Sequence, residues 1–353
     1  MRITKNTAPS SSLKRTGSSA NLLVAEELYK YFPVRGGILN STVAKVQAVD
    51  GISFSVQVGE VLGIVGESGC GKSTTARLLM HLIDQDSGLI TFNGMKVGGP
   101  HGLDLRSMRR QMQMVFQDSY SSLNPRLPIE ETIAFGPKVH GTPPEEARTR
   151  ARDILGKVGL DPSQFIRRYP HELSGGQRQR VNIARALALE PRLLILDEAV
   201  SALDKSVEAQ VLNLLLALKQ ELALTYIFIS HDLNVVQYVS DRVLVMYLGK
   251  IVEIGGVSDI YERTRHPYTK ALLSAMPSMD PDRRTEAVPL TGDPPNPINP
   301  PSGCRFHTRC PHAAPICTSD EPALLSETTD SGGRHQVACH MANPGSGHPM
   351  VAK

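Results

Sequence analysis

The chain has 353 residues, 41% of them hydrophobic, and its formal net charge is +3. This length suits one large domain or two ordinary ones, and the apolar fraction is sufficient for a buried core. The mild charge gives no reason to expect a nucleic-acid partner. No run of roughly 18 apolar residues occurs, and the N-terminal residues lack the apolar region of a signal peptide, so we expect neither a membrane span nor secretion.

The first part of the chain divides into a tail and a β-rich segment. Residues 1–21 are basic, rich in Ser and Thr and free of Asp and Glu, which predicts a disordered tail, with a transit peptide as the alternative. Alternating apolar residues over 22–57 predict antiparallel strands. One of the aromatic rings within residues 28–32 (LYKYF) could stack on an adenine base, or it could be an ordinary core residue of a strand.

A phosphate-binding loop is predicted at residues 66–73, because GESGCGKS fits the pattern G-x-x-x-x-G-K-[ST]. A buried strand is predicted before it and a helix over 74–80 after it, and this helix N-terminus attracts anions. Lys72 is predicted to reach the β- and γ-phosphates and Ser73 to hold Mg²⁺, whereas Cys70 is interpreted as a small filler. The predicted nucleotide-binding residues of this segment are Gly66, Glu67, Ser68, Gly69, Cys70, Gly71, Lys72, Ser73 and Thr74.

Three further apolar strands are predicted to end in polar side chains. One ends at Gln117, the next at Asp197 and Glu198, and the third at His231. Because ligands of parallel sheets gather at the carboxyl ends of strands, Asp197 is predicted to join the Mg²⁺ shell and Glu198 to polarise an attacking water. Gln117 could bind Mg²⁺ or orient water. Each of these residues could also be an ordinary polar strand end.

A second anion-binding helix N-terminus is predicted at residues 173–177, which have the sequence LSGGQ. Ser174 and the two glycines precede a helix predicted over 178–189 with apolar residues along one face. The alternative is a plain serine cap after a turn.

Taken in this order, the motifs resemble an ATP-binding cassette (ABC) ATPase of a transporter over about residues 22–256. By that resemblance the motifs are the Walker A loop (66–73), the Q-loop glutamine (Gln117), the signature (173–177), the Walker B strand (193–197), the catalytic glutamate (Glu198), the D-loop (201–204) and the switch histidine (His231). Phe32 best matches the adenine-stacking residue, with Tyr31 as the alternative. Ala199 and Val200 replace the Pro-Thr of many members.

The resemblance implies an α/β fold with a P-loop NTPase core of mostly parallel sheet and an antiparallel β subdomain. A helical subdomain at about 118–178 would carry the signature motif, and a small metal- or cluster-binding extension would occupy 257–353. In such ATPases the signature of one subunit meets the ATP of the other, and hydrolysis opens the pair. The implied catalytic residues are Gln117, Glu198 and His231; the implied Mg²⁺ ligands are Ser73, Gln117 and Asp197. Further implied nucleotide contacts are Phe32, Gln117, Asp197, Asp204, Ser174, Gly175, Gly176 and Gln177.

The C-terminal part narrows the resemblance to dipeptide and oligopeptide importer ATPases. Residues 265–273 resemble the segment that follows the cassette in those proteins, and a proline-rich run then leads into four cysteines. Cys304, Cys310, Cys317 and Cys339 could hold a [4Fe–4S] cluster, as in some members, and this is favoured over Zn²⁺ because the spacing is not that of a zinc ribbon. Zinc stays open because four histidines lie nearby: His307, His312, His335 and His340.

The leading functional hypothesis is the energy-coupling ATPase of a bacterial peptide importer, peripheral on the cytoplasmic face of the inner membrane. The implied partners are a second ABC ATPase in a heterodimer, two permease subunits that dock near residues 117–124, and an extracytoplasmic substrate-binding protein. The same machinery could serve nickel, glutathione, opines or D-amino dipeptides, because the ATPase does not touch the cargo. A different class is a soluble cassette ATPase of DNA repair or translation, although about 100 residues without heptads separate the Walker A loop from the signature. A third possibility is a tail that senses redox state or metals.

Overall fold

The computed structural model describes residues 21–36, 41–118, 120–276, 292–328 and 334–351. The predicted tail at 1–21 lies outside the described residues except for Asn21, which begins the first strand.

The described elements are strands and helices that alternate along most of the chain. The strands are β1 (Asn21–Gly36), β2 (Ser41–Gln57), β3 (Val61–Val65), β4 (Ser87–Phe92), β5 (Met95–Lys96), β6 (Met112–Val115), β7 (Leu193–Asp197), β8 (Thr225–Ile229), β9 (Arg242–Tyr247), β10 (Lys250–Gly256), β11 (Leu325–Thr328) and β12 (Arg334–Val337). The helices are α1 (Lys72–Leu79), α2 (Leu105–Gln111), α3 (Ile129–Val139), α4 (Pro144–Lys157), α5 (Pro162–Phe165), α6 (Gly175–Leu187), α7 (Lys205–Glu221), α8 (Leu233–Val239), α9 (Val257–Tyr261), α10 (Pro267–Ser274) and α11 (Pro315–Ser319). Short 3-10 helices span Pro170–Glu172, His307–Arg309 and His340–Ala342.

The central sheet has the strand order β11-β12-β10-β9-β3-β8-β7-β6. Strands β9, β3, β8, β7 and β6 are parallel, whereas β10, β12 and β11 are antiparallel. Every residue of β3, β7 and β8 is buried, as expected for apolar strands that are covered on both faces. Along β3, Leu62 and Ile64 pack in one core with the antiparallel sheet and α1, whereas Val61 and Val65 pack in a second core with α6, α7 and α8.

The antiparallel sheet covers one face of the central sheet and has the order β2-β1-β4-β5. The sequence predicted several short strands in this region. The structure instead has two long strands, β1 and β2, which pair from Asn21 and Gln57 to Gly36 and Ser41 with several register shifts. A bulge absorbs an extra residue and bends the strand while the pairing continues, so the turn-like residues inside this segment do not end the strands.

Helices α3, α4 and α5 lie between β6 and the signature segment in the chain, where the sequence predicted a helical region. In α4, Pro144 occupies the first turn and the buried residues Ala147, Ala151, Ile154 and Leu155 form one face that packs toward α3 and α6. The α/β core, the antiparallel sheet and this helical region agree with the predicted fold. The subdomain boundaries at about 118–178 and 256 stay predictions.

The C-terminal residues are joined to the core rather than separate from it. Strand β12 pairs with β10, opposing Val337 to Glu253, and so extends the central sheet. The ring of Phe306 lies 5.3 Å from that of Tyr247 on β9 and 5.4 Å from that of Tyr268 on α10. These rings are buried, so the contact between the C-terminal part and the core is apolar and closely packed.

Replacing Phe306 by Ala is expected to lower the free energy of unfolding by about 3 kcal/mol, because a buried ring is lost and a cavity remains. The measurement is urea unfolding of the purified chain. Phe135→Ala is the matched control, since Phe135 is 60% exposed and its loss should change this free energy by no more than about 0.5 kcal/mol. Equal effects of the two substitutions would contradict the described packing.

Within the described part of the chain, no helix combines the length and apolar composition needed to cross a membrane.

Candidate functional site

The predicted phosphate loop connects β3 to α1, as the sequence indicated. Helix α1 begins at Lys72, two residues earlier than predicted, because Gly71 already provides its N-terminal cap with φ of +110°. A Cβ atom at Gly71 would lie 2.3 Å from the carbonyl oxygen of Ala48, so both its backbone conformation and its surroundings require glycine. The loop therefore packs directly on β2 of the antiparallel sheet.

Lys72 is almost fully buried at the base of this loop. Its ammonium group donates to the carbonyl oxygens of Gly66 at 2.7 Å and Glu67 at 3.0 Å. Cys70 is also buried, and its burial raises the pKa of the thiol, as fits a small filler. The two carbonyls hold the cation at the centre of the loop, within reach of an anion that the loop binds.

One cavity of about 370 Å³ combines the phosphate loop with the ends of three other segments. Four side chains were predicted at strand ends, and three of them, at 117, 198 and 231, line this cavity. Six residues of segment 66–74 complete the lining. Its lining residues are Ser68, Gly69, Gly71, Lys72, Ser73, Thr74, Gln117, Glu198 and His231. The carboxyl ends of parallel strands thus meet at one edge of the sheet, as predicted.

Glu198 is the centre of a polar network in this cavity. Its Oε2 accepts a hydrogen bond from Nε2 of Gln117 at 2.7 Å and lies 3.4 Å from Nδ1 of His231. The backbone of Glu198 has φ of +49°, in the left-handed region that non-glycine residues rarely adopt, and its N–H donates to the carbonyl of Ile229 on the next strand. These bonds turn the carboxylate out of the buried strand and into the cavity.

Asp197 is buried beside the loop and is bonded to it. Its Oδ1 accepts a hydrogen bond from Oγ of Ser73 at 3.0 Å. Burial raises the pKa of Asp197, and the neighbouring Glu198 raises it further, against the effect of the Ser73 hydrogen bond. A divalent cation would offset this penalty, and hydroxyl and carboxylate oxygens are the ligands that Mg²⁺ prefers. The oxygen donors present therefore fit Mg²⁺.

The predicted signature does not lie in this cavity. Ser174 is the exposed N-cap of α6: its Oγ accepts from the N–H of Gln177, whose Oε1 accepts from the N–H of Ser174 in return. Helix α6 begins three residues earlier than predicted because this reciprocal cap includes the glycines in the first turn. Gly176 also has a packing role, since a Cβ there would lie 2.4 Å from Val207 of α7.

Asp204 is exposed as the N-cap of α7 and likewise does not line the cavity. The remaining nucleotide-binding prediction, Phe32, lies on β1 opposite Val46, two residues before the Ala48 that touches the loop, and is 38% exposed. The hydroxyl of Tyr31 donates a hydrogen bond to the carboxylate of Asp50. Of the two aromatic residues, only Phe32 presents a ring without such a bond.

Comparisons with known proteins agree with this arrangement. Residues 49–201 match the family model for ABC transporters, and residues 252–317 match that for the C-terminal region of oligopeptide/dipeptide transporters. The chain is 51% identical over 324 residues to a probable peptide ABC transporter ATP-binding protein of Sinorhizobium fredii, with 92% of this chain and 90% of that protein covered. It is 49% identical over 324 residues to the oligopeptide transport ATP-binding protein AppF of Bacillus subtilis, with 91% and 97% covered.

This chain is an ABC transporter ATPase.

Solved structures give the same family. An ABC transporter component of Clostridium perfringens aligns with a TM-score of 0.58 and 29% identity, over 69% of this ATPase and 91% of that chain. A dimeric ATP-binding cassette bound to ADP and phosphate aligns with a TM-score of 0.57 and 26% identity, over 67% and 98%. Both support the P-loop fold described above.

The four C-terminal cysteines of this ATPase line one small cavity together with several histidines. Cys304 donates its backbone N–H to the carbonyl of Cys317, and burial raises the pKa of the Cys304 thiol to about 12 and that of Cys339 to about 11. Within residues 292–328 and 334–351, as in the other described ranges, no three Cys, His, Asp or Glu side chains are arranged to hold a metal ion. The predicted thiols are thus gathered but do not have ligand geometry.

The histidines near this cavity are largely engaged elsewhere. His335 does not line it and instead pairs with the buried Glu253 at 2.8 Å. His307 and His340 line the cavity, and one ring nitrogen of each lies 2.9 Å from a backbone carbonyl, that of Cys304 and that of Asp320. His312 is a further lining residue.

Two contacts with the phosphate loop, both at Glu67, had no signal in the sequence. The side chain of Arg309 pairs with Glu67, and the hydroxyl of Tyr268 accepts a hydrogen bond from the N–H of Glu67 at 2.9 Å. Both partners come from the C-terminal region, more than 200 residues away in the chain. No local pattern could have paired them, because nothing in the sequence near either residue specifies a partner at that separation.

Proposed function

We propose that this chain is the ATP-hydrolysing subunit that drives import of dipeptides or oligopeptides across the bacterial inner membrane from its cytoplasmic face. The observation that carries the proposal is the match of residues 252–317 to the C-terminal region of oligopeptide/dipeptide transporters, beside a cavity formed by the phosphate loop, Gln117, Glu198 and His231. It is supported by 49–51% identity to proteins described as peptide or oligopeptide transport ATP-binding proteins, including OppF of Salmonella typhimurium.

In this proposal the phosphate loop binds ATP. Backbone N–H groups of residues 66–74 and the N-terminus of α1 face the phosphates, and the buried ammonium of Lys72 reaches the β- and γ-phosphates. The ring of Phe32 stacks on the adenine, since it is partly exposed on the strand next to the segment that touches the loop.

Hydrolysis in this proposal depends on positioning and charge stabilisation. Glu198 orients and polarises the attacking water, and Gln117 and His231, which approach its carboxylate, fix its direction. His231 contacts the γ-phosphate from the end of its strand. Ser73, Asp197 and Gln117 would hold Mg²⁺, which neutralises charge on the phosphates when it is bound.

The proposed site is completed by a second ABC ATPase subunit, and a heterodimer is proposed. Ser174, Gly175, Gly176 and Gln177 form a capped helix N-terminus with an exposed serine, and they do not line the phosphate cavity of their own chain. We propose that it faces the ATP of the second subunit, with Asp204 of the D-loop at the same interface. This agrees with the dimeric state of the similar cassette bound to ADP and phosphate.

A groove between the segment after α1, β6 and α3 is proposed to receive a helix of a permease subunit. It has a volume of about 380 Å³, and its lining includes the exposed rings of Phe116 and Phe135 and the exposed Leu82. Arg185, largely buried at its base, donates to the carbonyl of Ser122, inside the segment 117–124 that the sequence indicated. Because that segment follows Gln117, movement in the groove reaches the ATP site. An extracytoplasmic substrate-binding protein would deliver the cargo.

Phe135→Asp is expected to reduce recovery of the permease subunits with the tagged ATPase by about tenfold or more, because a charge would enter an apolar contact. Tyr238→Asp is the matched control, since Tyr238 is similarly exposed, on α8 outside the groove, and should leave recovery unchanged. Equal recovery with both variants would contradict the docking site.

We further propose that Cys304, Cys310, Cys317 and Cys339 hold a [4Fe–4S] cluster, with Zn²⁺ as the alternative. The support is that all four thiols line one cavity and that four thiolates are the ligand set of such a cluster, so the proposal requires the bound group to draw them into ligand geometry. Iron, zinc and acid-labile sulfide are measured on anaerobically purified protein. We expect about four irons per chain, falling with Cys304→Ser and Cys310→Ser. Absence of both metals in wild type, or no change in the variants, would contradict the proposal.

Co-purification of the native complex and peptide uptake in proteoliposomes test the cargo. ATP-dependent accumulation of a labelled peptide supports the proposal. Uptake of nickel, glutathione, an opine or a D-amino dipeptide instead would support the transport ATPase but contradict the peptide cargo. Full ATPase activity with no permease partner, or binding to nucleic acid at physiological salt, would favour a soluble cassette ATPase.

A further inference from the structure

We infer that Arg309 is a positioning residue of the ATP site, which acts on Lys72 through the carboxylate of Glu67. The inference rests on the proposed binding of ATP by the phosphate loop and adds to that site a residue from the C-terminal region. Arg309 ends a short 3-10 helix and lies 242 residues beyond Glu67 in the chain.

Arg309 and Glu67 form a bidentate ion pair. Nη1 of Arg309 donates to Oε2 of Glu67 at 2.8 Å, and Nη2 donates to Oε1 at 3.1 Å. The Arg309 side chain is only 5% exposed and that of Glu67 is 21% exposed, so the pair is mostly shielded from water. The same guanidinium lies 6.0 Å from the centre of the Tyr247 ring. This geometry fixes both the direction and the charge of the Glu67 carboxylate.

Glu67 is held at three points, and one of them is Lys72. Arg309 holds its side chain, the buried hydroxyl of Tyr268 accepts from its N–H, and its carbonyl accepts from the ammonium of Lys72 at 3.0 Å. A displacement of the Glu67 peptide therefore moves a carbonyl that holds the Lys72 cation. Two of the three restraints come from the C-terminal region, which in this way sets the shape of the phosphate loop.

The charge of Glu67 gives Arg309 a second effect on nucleotide binding. A carboxylate in a loop that binds a triphosphate repels it, and this repulsion is strong where water is partly excluded. Arg309 neutralises Glu67 and does not itself line the phosphate cavity, so it acts through Glu67 rather than on the nucleotide. Removing Arg309 leaves an unpaired carboxylate in the phosphate loop, and removing both charges abolishes its repulsion of the triphosphate.

The test is calorimetric titration of the full chain with Mg²⁺ and a non-hydrolysable ATP analogue, for wild type, Arg309→Gln, Arg309→Lys and Glu67→Gln/Arg309→Gln. We expect Arg309→Gln to raise the Kd about tenfold, which corresponds to about 1.4 kcal/mol. Arg309→Lys keeps the positive charge but loses the bidentate geometry. Its Kd should therefore be closer to that of wild type than to that of Arg309→Gln. The double variant removes the repulsion but leaves the Glu67 side chain unheld, so its Kd should lie between those of wild type and Arg309→Gln.

Arg263→Gln is the matched control, because Arg263 pairs with Asp259 elsewhere in the C-terminal region and should leave the Kd unchanged. Urea unfolding of each variant reports on folding. A lower stability of Arg309→Gln with an unchanged Kd would overturn the inference, as would a double variant that binds no better than Arg309→Gln. Wild-type protein that fails to bind the analogue would overturn the proposed ATP site as well, which separates the two failures.

Discussion

Replacing Glu198 by Gln is expected to lower ATP turnover of the assembled transporter by at least about 100-fold while ATP binding persists. The amide has the same size as the carboxylate but cannot polarise a water by accepting its proton. The contact with Gln117 at 2.7 Å and the approach of His231 at 3.4 Å direct this oxygen into the cavity of the phosphate loop. The measurement is phosphate release together with binding of a labelled ATP.

The chain supplies a close control for this substitution. Glu190 also has a left-handed backbone, with φ of +53°, compared with +49° for Glu198. It is exposed and pairs with Arg150, away from the cavity, so Glu190→Gln should retain wild-type turnover. Wild-type turnover in Glu198→Gln would exclude Glu198 as the group that activates water.

Lys72→Ala is expected to weaken ATP binding by roughly 100-fold, equivalent to about 3 kcal/mol, because two charge-assisted contacts to phosphate are lost. The ammonium is almost fully buried and already bonded to two carbonyls of the loop, so no solvent cation replaces it at the same position. The Kd for ATP is measured by titration of the purified chain.

Lys157→Ala controls for the loss of one lysine. Lys157 pairs with Glu221 at the surface and does not line the phosphate cavity, so the Kd of Lys157→Ala for ATP should equal that of wild type. Equal affinities of Lys72→Ala and wild type would contradict the assignment of residues 66–73 to the triphosphate.

The sequence predicted the core strands and the phosphate cavity because each depends on local chemistry. Continuous apolar runs such as β3 and β7 predict buried parallel strands, and the polar residues at strand ends, Gln117, Glu198 and His231, then meet because parallel strands end at one edge. Gly71 belongs to the predicted phosphate loop, and its close approach to the carbonyl oxygen of Ala48 is a tertiary reason for a glycine there.

The sequence predicted less well wherever contacts join distant segments. The long β1–β2 hairpin depends on bulges whose register no alternation pattern encodes. The pairing of β12 with β10, the ion pair of Arg309 with Glu67 and the packing of Phe306 on Tyr247 each join segments far apart in the chain, which no local pattern specifies. The clustering of the cysteines predicted that the four thiols lie together, and they line one cavity. The sequence did not predict that His335, one of the histidines considered as a ligand, pairs with Glu253 instead.

The proposed mechanism depends most on an ATP site shared between two subunits, so the decisive measurement is a structure of the assembled transporter that carries Glu198→Gln and is trapped with ATP. We expect the hydroxyl of Ser174 within hydrogen-bond distance of the γ-phosphate of a nucleotide held by the phosphate loop of the second subunit. A trapped complex in which Ser174 lies far from every bound triphosphate would contradict the shared ATP site.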